Sequence, residues 1–116
     1  MHRISGNDQE FELSLLQICV EDMKPRLEII KTAIASHDFG QIVRETHHFK
    51  GASANIGATA MYLVASKLEQ LAYCQERRGT INLLSELEEF VNRIQDFLNR
   101  RKAINSTLLA IKNDAA

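Results

Sequence analysis

The chain has 116 residues, 45% of them apolar and 25% charged, and 14 Lys and Arg against 15 Asp and Glu leave a formal net charge of −1. That length supports one hydrophobic core and not two, and charges interleaved along the chain provide neither the basic stripe that nucleic acid requires nor an acidic tail. No apolar run reaches membrane-spanning length and the N-terminus MHRISGNDQE lacks a signal-peptide apolar region, so the expected setting is the cytoplasm. Cys19 and Cys74 form no metal-type pair and both fall in apolar helical patterns, so both are expected to be reduced thiols packed as small hydrophobes.

One proline and five glycines leave few breaks, and helical periodicity dominates. In the first segment Leu13, Leu16, Val20, Met23, Leu27, Ile30 and Ile34 recur at alternating spacings of three and four, with Asn7 or Asp8 available as its cap. Pro25 interrupts the pattern while the seam stays in register, which predicts a kink or a break into two helices there. Ser36-His37-Asp38 ends this segment, and Asp38 is placed to cap the next. The second helix is predicted over 39–56, with the seam Phe39, Ile42, Thr46, Phe49, Ser53 and Ile56 and a stop at Gly57. The third is predicted over 59–78, burying Met61, Val64, Leu68, Leu71 and Cys74 and closed by Gly79. The fourth starts near Thr80 or Ile81 and carries Leu84, Leu87, Val91, Ile94 and Leu98.

Short loops between consecutive long helices predict an all-α fold, an antiparallel up-down-up-down four-helix bundle with a kinked or broken first segment. Residues 1–7 read as an N-terminal tail and 8–100 as the bundle. Residues 101–116 read as an extension in which Ile104, Leu108 and Ile111 can prolong the last helix before a frayed end. A bundle that closes its own core is expected to be monomeric.

The stretch THHFKGASANIG, residues 46–57, places a glycine inside a helix, at a cost of about 0.5–1 kcal/mol relative to alanine. At about 100° per residue, His47 and His48 both fall outside the core seam and point in different directions. His47 shares its stripe with Lys50, Gly51 and Ala54, whereas His48 lies with Arg44, Glu45, Ala52 and Asn55. An exposed imidazole is largely neutral near pH 7 and has a ring lone pair for attack on an electrophile. A lysine one turn away disfavours the imidazolium and attracts a dianionic phosphoryl group, while Gly51 and Ala54 keep the face flat enough for another protein's active site to approach. A solvated surface His-x-x-Lys, or a glycine that marks close helix packing, fits the same spacing.

The segment HHFKGASANIGA resembles the signature of the histidine-containing phosphotransfer (HPt) domain family, His-x-x-Lys-Gly followed by small residues and a second glycine. His47, Lys50, Gly51, Ser53, Gly57 and Ala58 occupy the matching positions. The preceding helix with its in-register proline and the Leu68-Glu69 pair extend the likeness over roughly residues 8–100. The resemblance implies a phosphocarrier of a His-Asp phosphorelay, not a kinase, with His47 as phosphoacceptor, Lys50 steadying the phosphoryl oxygens and Gly51 giving steric access. It also implies that the partners are receiver domains of response regulators or hybrid kinases. Mg²⁺ and the acceptor aspartate would belong to the receiver, so this chain would need no cofactor of its own. Arg44, His48, Ala54, Asn55 and exposed parts of the first helix are expected to form the docking face. Glu69 sits where some family members have a polar residue near the histidine; an anion facing the site would repel phosphate, so Glu69 is left outside the candidate set.

The chain itself has no Gly-rich nucleotide loop and no Walker pattern, in keeping with a carrier. Three other readings compete. A phosphorylation-independent helical adaptor would bind receiver or kinase domains without chemistry. A kinase dimerisation region calls for an acidic residue after its histidine, where this chain has His48. A metal site on His37, His47 and His48 would need adjacent helical histidines to share one ion although they diverge by about 100°.

Overall fold

The computed structural model describes residues 6–115, with side chains described from Glu10 to Ile111. It contains four helices, α1 (Gly6–Ala35), α2 (Phe39–Asn55), α3 (Thr59–Tyr73) and α4 (Thr80–Ala115), and no strand among the described residues. Each helix packs on its chain neighbours and α4 closes back on α1, while α1–α3 and α2–α4 lie diagonally, with no close backbone approach among the described residues. The up-down-up-down bundle expected from the short connections is what forms.

Most of the expected seam residues form the core, joined by Ala33, Ala65 and Ala72, whereas Leu71 is only half-buried. Val20, Met23 and Ile30 of α1, Ile42 and Phe49 of α2, Met61 and Leu68 of α3, and Leu87 and Val91 of α4 are at most 1% exposed. Each such side chain contributes about 1.5–3 kcal/mol of hydrophobic stabilisation. Two seam positions are polar and satisfied locally: Thr46 Oγ1 donates to the Ile42 carbonyl at 2.7 Å and Ser53 Oγ to the Phe49 carbonyl at 2.7 Å.

Helix ends follow one rule. The residue after each of the first three C-caps adopts a left-handed backbone, at His37 (φ 60°), Gly57 (φ 70°) and Gln75 (φ 55°). In each case the next amide reaches back five residues: Asp38 N to the Ala33 carbonyl, Ala58 N to the Ser53 carbonyl, and Glu76 N to the Leu71 carbonyl. These paired bonds satisfy carbonyls that a helix end leaves without donors. Asp38 then caps α2, its Oδ1 accepting from the Gln41 amide at 3.2 Å.

Several expectations are corrected. Of the kink or break expected at Pro25, the break does not occur: α1 runs as one helix through it. Proline deprives the Glu21 carbonyl of its helical donor, but both residues are exposed and water can take that place. α3 stops at Tyr73, five residues short of the expected end, because Gln75 turns left-handed. Cys74 is therefore an exposed cap residue, and only Cys19 is buried. Glu45 faces α1 instead of lying on the open His48 stripe. It is 7% exposed and paired with Arg26 at 2.8 Å. The helix also begins ahead of Asn7 and Asp8, whose side chains lie outside the described residues. α4 continues to Ala115, and Ala116 lies outside the described residues.

α2 and α3, at 17 and 15 residues, are roughly half as long as α1 and α4, at 30 and 36. One end of the molecule is consequently built from α1 and α4 alone. The 62 × 33 × 17 Å extents express that overhang.

Candidate functional site

His47 projects from the middle of α2 with 75% of its side chain exposed. Its exposure follows from register, since Thr46 and Phe49 on either side take the core positions. On its α3 side lies Glu69, almost enclosed, with one carboxylate oxygen committed to each of two cations or potential cations. Oε1 accepts from Lys50 Nζ at 2.8 Å, and Oε2 lies 3.6 Å from His47 Nδ1. Lys50 also sits over the Tyr62 ring, 5.6 Å from its centroid. The Glu69 hydrogen bond, helped by its charge and opposed by desolvation, holds the Lys50 ammonium above its ordinary pKa. Lys50 is therefore charged at neutral pH and fixed beside the imidazole.

The α1 side of His47 is different in kind. Leu15, Ile18, Cys19 and Asp22 of α1 face His48, Gly51, Ala52 and Asn55 of α2 across an open groove of about 620 Å³ that His47 also lines. Ile18 is 63% exposed within it. Burial first, and Asp22 second, push the Cys19 thiol up, so it remains a protonated hydrophobe and not a nucleophile. Below the groove Arg26 bridges Asp22 on its own helix and Glu45 on α2, bracing the two walls.

Gly51 has an ordinary helical backbone, and a Cβ built on it would meet no heavy atom within 4 Å among the described residues. Neither conformation nor packing inside the molecule calls for glycine there. The free space points outwards, beside His47. Of the expected docking residues, His48 and Asn55 line the groove, whereas Arg44 and Ala54 are exposed outside it. Arg44 donates to Gln41 Oε1.

Sequence reasoning missed Glu69 and Tyr62. Glu69 does face the site, which corrects its exclusion: its charge is matched by Lys50, so the objection that a bare anion would repel phosphate does not apply. A signal was present. Tyr62 and Glu69 are seven apart on α3 and each follows a core residue, Met61 and Leu68, which puts both on one flank of that helix.

Residues 14–103 match the Hpt domain family. The chain belongs to that family. Hpt domains are phosphocarriers of phosphorelays and partner with receiver domains, so this is a histidine phosphotransfer protein. The fold of this Hpt domain is similar to the crystal structure of histidine-containing phosphotransfer protein B (HptB) from Pseudomonas aeruginosa PAO1. The TM-score is 0.72 and the identity 24%, over 78% of this chain and 79% of that one. No curated protein matches the chain. Among the described residues no helix is long and apolar enough to cross a membrane.

Proposed function

We propose that His47 is the phosphoacceptor, taking a phosphoryl group from the aspartyl phosphate of one receiver domain and passing it to the aspartate of another. The observation that carries this assignment is the Glu69 carboxylate, which addresses His47 Nδ1 and Lys50 Nζ together. With the Nδ1 proton facing Glu69, the lone pair is on Nε2, directed to solvent. Nε2 attacks phosphorus, an N–P bond forms, and the acyl phosphate P–O bond breaks to return the receiver's carboxylate. The ring keeps its Nδ1 proton and gains positive charge, which the carboxylate 3.6 Å away stabilises. Return transfer runs the same steps backwards, with neutral imidazole as the leaving group.

Lys50 supplies a fixed positive charge for the phosphoryl oxygens, and most catalysis of phosphoryl transfer is such positioning and charge neutralisation. Mg²⁺ and the acceptor aspartate belong to the receiver in this reading. The open face at Gly51 lets the receiver's active site reach His47, and the apolar groove around Ile18 takes the receiver's surface.

The test is phosphoryl transfer from labelled receiver domains to the wild type and to His47→Gln and His48→Gln variants. Label should reach the wild type and His48→Gln in an acid-labile, alkali-stable bond, and be absent from His47→Gln. Label retained by His47→Gln would move the assignment to another histidine. No transfer from a broad receiver panel would leave a phosphorylation-independent adaptor.

A further inference from the structure

α4 carries a second apolar stripe that starts on the flank of its core face, at Phe90 and Ile94, and runs on beyond it. Phe90, Ile94, Phe97, Ile104, Leu108 and Ile111 fall at spacings of 4, 3, 7, 4 and 3. They are the a and d positions of three heptads, with Arg101 at the one polar a position. Within the bundle the stripe is partly used, since Phe90 and Ile94 are half-buried against the core. Beyond α2 and α3 it has no cover among the described residues: Phe97 is 41% exposed, Ile104 52%, Leu108 57% and Ile111 59%. Scattered surface leucines are ordinary, but a seam in continuous heptad register is not.

We infer that this seam pairs with the same seam of a second copy, forming a two-stranded antiparallel coiled coil between α4 helices. Knobs-into-holes packing requires a partner helix with the same 3.5-residue repeat, and a second copy supplies it. The four exposed seam side chains leave on the order of 100 Å² each, so two copies bury roughly 800 Å² there. Phe90, Ile94 and the rim raise the total to about 1,000 Å², the threshold for a specific interface. Arg101 sets the direction. Parallel strands would stack it on its own copy, whereas antiparallel strands place it opposite an apolar residue. It can then turn to the groove it already lines between α1 and α4, beside Leu13, Ser14 and Gln17.

The diagonal arrangement of the bundle keeps this contact clear of the transfer face. α2, which carries His47, lies diagonally across the bundle from α4, and their backbones do not approach closely among the described residues. The expectation of a monomer rests on the closed four-helix core, and the exposed part of the seam, from Phe97 to Ile111, lies outside that core.

Sedimentation velocity on the full chain at about 1 to 100 µM, the range suited to an interface of this size, tests the inference. The wild type should reach twice the monomer mass. Ile104→Glu with Leu108→Glu should remain monomeric, with its helical circular dichroism and its rate of phosphorylation on His47 unchanged. A wild type that stays monomeric throughout overturns the inference, and so does a dimer that the double variant leaves intact. A monomer that instead binds vesicles of mixed phosphatidylcholine and phosphatidylglycerol overturns it too, and assigns the seam to a membrane surface. Because transfer is followed in the same samples, failure of the dimer is separable from failure of His47 as acceptor.

Discussion

The two flanks of α2 on either side of His47 were built to different specifications. Towards α3 the side chains are charged, enclosed and mutually bonded: Glu69 is 9% exposed and holds Lys50 at 2.8 Å. Towards α1 they are small or apolar and open, with Ile18 63% exposed and nothing beyond Gly51. In the transfer proposed for His47, the contrast separates chemistry from recognition. One flank fixes charges beside His47, and the other offers surface with no geometry of its own to enforce.

That division can be broken by kinetics. Glu69→Gln keeps the shape of the α3 flank and removes its charge. It should lower the limiting single-turnover transfer rate by about tenfold or more, as expected when the charge opposite a developing imidazolium is lost, and leave the half-saturating receiver concentration nearly unchanged. Ile18→Asp should do the reverse, raising the half-saturating concentration by about tenfold, as for a central apolar contact, with little change in the limiting rate. If both variants changed the same parameter, the two flanks would not be functionally distinct.

A smaller effect sharpens the comparison at the boundary between the flanks. Gly51→Ala fills outward space only. It should raise unfolding stability by about 0.5–1 kcal/mol by denaturant titration, because alanine is the better helix former. The same methyl group should weaken receiver engagement several-fold. A variant both more stable and equally active would show that the open face serves no partner.

The smallest effect concerns pH. The folded-state pKa of Lys50 is raised above the ordinary 10.5, chiefly by its hydrogen bond to Glu69. The stabilisation linked to that shift is fully present below 10.5 and is lost as pH rises through the higher folded value. The stability difference between wild type and Lys50→Met should therefore be level from about pH 6 to 9 and shrink only in stronger alkali. A difference that changed between pH 7 and 9 would mean that another group titrates with the pair.

Much of this arrangement was legible in the sequence because it depends on periodicity. The seam from Phe39 to Ile56, the Asp38 cap, the stop at Gly57 and the outward pointing of His47 each follow from residue spacing or local backbone preference. What escaped depends on pairing across helices. Glu69 was set aside as a lone anion, a judgement that fails once Lys50, 19 residues earlier, is found on the same carboxylate. Glu45 was placed on an open stripe for want of Arg26, also 19 residues away. The early end of α3 escaped for a different reason: its left-handed residue is Gln75, which carries none of the compositional signal of glycine.

That same turn chemistry bears on how far the molecule can tolerate change. Of the three left-handed C-terminal turns, the one nearest the α1–α4 overhang has glycine, Gly57, where the backbone requires it. The two at the opposite end use His37 and Gln75, whose Cβ atoms crowd the backbone in that conformation. The bundle thus carries conformational strain at the pole farthest from the overhang. Relief there would widen the margin within which the docking surface can vary without unfolding the domain.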